Sequence, residues 1–128
     1  MANEIEISVS ISASKGGMTV SRAESFKVDM SGDAITHSVL EVGTSAQVLV
    51  ESTELGNAGW CFLKNLDSTN FVEFGREGVD AADENLIKLK PGESCVFRVS
   101  DQTGGSNRSV YGLADTAACN VEYIQIED

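Results

Sequence analysis

The chain holds a single proline and a single histidine, 9 basic residues against 20 acidic ones, 6% aromatics and three widely spaced cysteines. Each scarcity excludes something. His37, between Thr36 and Ser38 with no motif around it, leaves little from which to build a general base. Serine is abundant, but no G-x-S-x-G elbow or other triad signature accompanies it, so no catalytic residue is assigned. Cys61, Cys95 and Cys119 form no C-x-x-C, whereas zinc sites need close ligand pairs. They read as small apolar fillers of strands, made in a reducing cytoplasm. No metal or cofactor is expected. A net charge of −11 leaves too few clustered Lys and Arg to neutralise phosphate or hold an anionic membrane surface. No apolar run approaches the ~18 residues of a membrane span. The start Met1-Ala2-Asn3-Glu4 shows no basic region followed by an apolar one, so no signal peptide is expected. With only Pro91 available, strand edges must be guarded by charge.

What the chain does have is alternation. Its 128 residues suit one domain, 1–128, with a substantial core. In Glu4 to Ser12 every odd position (Ile5, Ile7, Val9, Ile11) is β-branched and apolar and every even one is polar. A period of two places one face in a core or interface and the other in water. Ser14-Lys15-Gly16-Gly17 reads as a turn, and Phe26, Val28 and Met30 alternate beyond it. Thr36–Val42 and Ala46–Ser52, separated by Gly43-Thr44-Ser45, predict a hairpin. Gly59–Asn65 is apolar on both faces, Trp60 and Phe62 against Cys61 and Leu63, which places it inside the domain. Asn70–Gly75, Leu86–Lys90, Ser94–Val99, Ser109–Asp115 and Cys119–Glu127 read as further strands. Pro91-Gly92 forms a turn in which Gly takes positive φ at the second corner. Nine or ten strands with regular turn signals and no 3.6-residue period predict an all-β fold, a single-domain antiparallel β-sandwich, jelly-roll-like.

Candidate sites are few. Residues 76–84 gather carboxylates without the EF-hand spacing, so they read first as a solvated loop and second as a cation site. Thr103–Arg108 is glycine-rich but lacks the ending of a phosphate-binding loop. Trp60, Phe62, Phe71, Phe74 and Phe97 suit core packing better than sugar stacking, and Tyr111 is the aromatic best placed for exposure. The strand within residues 1–14 is the remaining candidate. Its apolar face of Ile5, Ile7, Val9 and Ile11 either pairs within its own sheet or forms a subunit interface by adding to a neighbour's sheet.

The stretch Gly59–Gly75, followed by Ile87-Lys88-Leu89-Lys90-Pro91-Gly92-Glu93, Ala114–Ala118 and the ending Val121–Glu127, resembles small virion structural proteins of tailed bacteriophages, of the head decoration or cement type. The resemblance spans roughly residues 36–128 and is a pattern of β-strands and turns, not a catalytic signature. It implies a non-enzymatic, multi-copy protein of the virion, made and assembled in the host cytoplasm. Its partners would be the major capsid protein or other virion proteins and further copies of itself, a trimer being one form. Nucleic acid and membrane are not among the implied partners. A tail, neck or baseplate component and a host-glycan-binding β-sandwich module are the alternative readings.

Overall fold

The computed structural model describes residues 3–49, 58–75, 85–99 and 110–127. Among them every regular element is a strand: β1 (Ile5–Lys15), β2 (Met18–Val28), β3 (Ile35–Val42), β4 (Gln47–Val48), β5 (Ala58–Asn65), β6 (Val72–Gly75), β7 (Asn85–Leu89), β8 (Ser94–Arg98), β9 (Tyr111–Ala114) and β10 (Cys119–Glu127). The fold is all-β, and every strand pairing is antiparallel. The chain separates into two compact units, Met1–Ser31 and Gly32–Asp128. The carboxylate-rich stretch 76–84 and the glycine-rich stretch 103–108 lie outside the described residues.

The first unit is a two-stranded ribbon. β1 and β2 pair without a break from Ile5 opposite Val28 to Lys15 opposite Met18. The two residues between them, Gly16 and Gly17, have φ of 58° and 85°. Two positive φ values in a two-residue loop match the right-handed twist of the strands they join, and glycine reaches them without steric cost.

The second unit contains two four-stranded sheets, ordered β3-β10-β5-β8 and β4-β9-β6-β7. Both contribute to one core. Val42, Cys61, Leu63 and Val121 come from the first sheet, and Val72, Phe74, Leu89 and Ala114 from the second. Burying each large side chain of this kind stabilises the fold by about 1.5–3 kcal/mol. Gly112 marks where the packing is tightest: a β-carbon there would stand 3.2 Å from both the Phe74 ring and a Val42 methyl. β5, apolar on both faces, lies between β10 and β8, with Cys61 and Leu63 in the core and Trp60 buried on the other side. β10 turns Val121, Tyr123 and Gln125 inward. The Pro91-Gly92 turn forms as the residues dictate, with Gly92 at φ 81° and the Glu93 N–H donating to the Lys90 carbonyl at 3.0 Å.

Among the described residues, the hairpin expected between Thr36–Val42 and Ala46–Ser52 does not form; residues 50–52 of the second segment lie outside them. β3 pairs with β10, and the short β4 pairs with β9 in the other sheet. Gly43-Thr44-Ser45 supplies a turn, but the chain uses it to change sheets. The Gly43 N–H donates to the Gln47 side-chain oxygen at 2.9 Å, and its carbonyl accepts from the Ala114 N–H at 2.9 Å. Val42 is then fully buried against the core and β10, a gain that a local hairpin with so short a β4 does not match.

Candidate interaction surface

The register of the ribbon decides which side chains share a face. Cross-strand partners point the same way, and successive residues alternate. One face therefore carries Ile5 with Val28, Ile7 with Phe26, Val9 with Glu24, Ile11 with Arg22, Ala13 with Val20 and Lys15 with Met18. The opposite face carries Glu6 with Lys27, Ser8 with Ser25, Ser10 with Ala23, Ser12 with Ser21 and Ser14 with Thr19. The second face is almost wholly polar, and the Ser8 and Ser25 hydroxyls lie 3.2 Å apart.

Of the four residues singled out in the sequence, Ile5 and Ile7 are buried, while Val9 and Ile11 are 43% and 67% exposed. Three residues of β2 join them on the same face: Met18, 74% exposed, Val20, 56%, and Phe26, 42%. The sequence reading passed over most of β2 because Arg22 and Glu24 interrupt its apolar series. Those two side chains form an ion pair with one another on a face that is otherwise apolar as far as Lys15 at the turn. The alternation of Met18, Val20, Phe26 and Val28 with polar residues, broken at Arg22 to Glu24, was the available signal. The five exposed apolar side chains leave on the order of 500 Å² uncovered, a size at which patches on soluble proteins mark interaction sites.

The base of the ribbon is held by carboxylates. Asn3 N–H donates to Asp29 Oδ1 at 2.6 Å, and Met30 N–H donates to Glu4 Oε2 at 3.1 Å. The Met30 N–H, and after it Glu4's own backbone N–H, hold the Glu4 carboxyl below its ordinary range.

The other candidates take ordinary places. His37 Nε2 lies 2.8 Å from Glu122 Oε2 on adjacent strands of one sheet. Burial pushes the Cys61 thiol up to about 12 and the Cys95 thiol up to about 11, so both are protonated and weakly nucleophilic near neutral pH. No group of three or more His, Cys, Asp or Glu is gathered among the described residues. Of the aromatic set, Trp60 and Phe74 are buried, Phe62, Phe71 and Phe97 are half-buried, and Tyr111 is half-buried as well. Arg98 covers the Trp60 ring at 4.8 Å, and the Lys88 ammonium covers Phe71 at 3.9 Å.

In comparisons with known proteins, the chain matches no family model, no curated protein and no solved structure.

Proposed function

We propose that this chain is a non-enzymatic virion structural protein, a decoration or cement protein that binds the exterior of a phage capsid and stabilises it. The observation that carries the reading is the apolar ribbon face. A two-stranded ribbon is marginally stable alone in water, and this one exposes Val9, Ile11, Met18 and Val20. Such an element is suited to joining something larger.

The body supports the reading through its topology. Counting its described strands in chain order from one to eight, one sheet runs 1-8-3-6 and the other 2-7-4-5. That alternation between sheets is how a jelly-roll sandwich is wound, an architecture frequent in viral capsid proteins. The order of segments that resembles head decoration proteins falls within this body. Many modest contacts, repeated over a shell, resist internal pressure collectively. An acidic body stays soluble before assembly and is repelled by the packaged nucleic acid.

The test is to mix the purified protein with expanded phage shells, then measure co-sedimentation and the temperature at which the shells break. Binding at a stoichiometry near that of the capsid subunit, with a raised breakage temperature, is the expected result. Ile11→Asp weakens it, because a charge then enters a face that needs burial. Failure to bind any shell, or turnover of a substrate by the purified chain, overturns the reading. Native particles with only a few to tens of copies move the protein to the tail or neck.

A further inference from the structure

Among the described residues β2 has one neighbour, β1, in a two-stranded sheet, so no described strand pairs with its outer edge, a template eleven residues long. In a two-residue hairpin the flanking pair, here Lys15 and Met18, exchanges both main-chain hydrogen bonds. The even-numbered residues of β2 therefore turn their N–H and C=O groups to β1. The odd-numbered ones, Thr19, Ser21, Ala23, Ser25 and Lys27, turn theirs outward.

The side chains of β2 are symmetric about Ala23 in a chemical sense. Reading outward in both directions gives Arg22 and Glu24, Ser21 and Ser25, Val20 and Phe26, Thr19 and Lys27, Met18 and Val28. Opposite charges, then two serines, then two apolar residues, then two polar ones, then two apolar ones stand at equal distances from the centre.

We infer that β2 pairs antiparallel with β2 of a second copy of this chain, about a two-fold axis through Ala23. In that register every outward-facing residue meets an outward-facing residue, giving about ten main-chain hydrogen bonds. Arg22 of each copy lies across from Glu24 of the other in a non-hydrogen-bonded pair, the arrangement that brings side chains closest. Val20 lies beside Phe26 and Met18 beside Val28, so one face of the four-stranded sheet β1-β2-β2-β1 is apolar on either side of a central band of Arg22–Glu24 pairs. Such an interface is isologous: one patch, complementary to itself.

Charge favours this occupant over an unrelated strand. Residues 1–31 carry four carboxylates and three cations, whereas the remaining chain carries sixteen acidic and six basic residues. Copies that repel through their bodies meet through the one nearly neutral element, and the single ion pair on its apolar face is satisfied reciprocally. The inference concerns the ribbon alone and stands whether or not the protein binds capsids.

Sedimentation equilibrium of the full chain at micromolar concentration tests it. The expected species is a dimer. Arg22→Glu or Glu24→Arg places like charges opposite each other and raises the dissociation constant about tenfold or more. The double reversal, Arg22→Glu with Glu24→Arg, restores the wild-type constant. Independently, Ala23→Cys cross-links two full chains under mild oxidation, because hydrogen-bonded partners sit ~5.5 Å apart at Cα, within disulfide reach. Ser21→Cys, whose opposite residue is Ser25, does not. A wild-type monomer or trimer, a double reversal as dissociated as either single one, or no cross-link at Ala23 overturns the inference.

Discussion

Two buried polar side chains behave in opposite ways. Asn65 is fully buried and fully engaged: its Nδ2 donates to the carbonyls of Asn70 at 2.9 Å and Leu89 at 3.0 Å, and its Oδ1 accepts from the Asp67 N–H at 2.9 Å. Asn65→Ala strands those groups and costs about 2–4 kcal/mol, read from urea unfolding midpoints. Gln125 is also fully buried, but its Nε2 reaches only Cys61 Sγ at 3.9 Å, and among the described residues its Oε1 finds no partner. Gln125→Leu removes an unmet acceptor from the core, so it is neutral or stabilising by about 1 kcal/mol in the same measurement. Alternation puts Gln125 on the same face of its strand as Val121 and Tyr123, and the structure shows that face to be the buried one. The bonds of Asn65 to Asp67 and Asn70 are local, but its bond to Leu89 spans 24 residues, which no local pattern announces.

At the scale of elements, local pattern was a good guide to strands and a poor one to their neighbours. The alternation of Ile5 to Ile11 and the two apolar faces of β5 were visible because side-chain period is a local property. The pairing of β3 with β10 was not, since it depends on which distant strand best buries Val42 and Leu40. The loop leaving β5 carries its own pH dependence. Asp67 accepts the Asn70 N–H at 2.6 Å and the Thr69 N–H at 2.8 Å, and these bonds hold its carboxyl below the ordinary range. A depressed folded pKa stabilises the fold above the unfolded value, 3.8, and that contribution fades as pH falls through and below it. The thermal midpoints of wild type and Asp67→Ala are therefore expected to differ at pH 7 and to draw together as pH falls below 3.8. Glu127, at the end of β10, accepts the N–H groups of Asp33 and Ala34 at 3.1 and 3.2 Å, over a Gly32 whose missing β-carbon leaves room for the carboxylate. Glu127→Ala is expected to cost about 1 kcal/mol by urea titration and to speed hydrogen exchange at those two amides.

For the whole molecule, the division at Ser31 and Gly32 separates two kinds of stability. The body has a packed core, while the ribbon has a polar face and a partly uncovered apolar one. Ile11→Asp, at a position two-thirds exposed, is expected to change the urea midpoint of the body by less than about 0.5 kcal/mol while weakening association. An equally large loss of body stability would show that the Ile11 face serves the fold and not assembly. The two units also differ in how far apart along the chain their pairings lie. The ribbon joins Ile5 to Val28 across a tight turn, whereas the first strand of the body is held by the last, Ile35 opposite Ile126 and Val42 opposite Cys119. During translation the ribbon's residues have all emerged while most of the body is still unmade, and β3 must wait for β10 before it finds its neighbour. Closure of the body is thus a slow, long-range step that waits for the last of the described strands to be made.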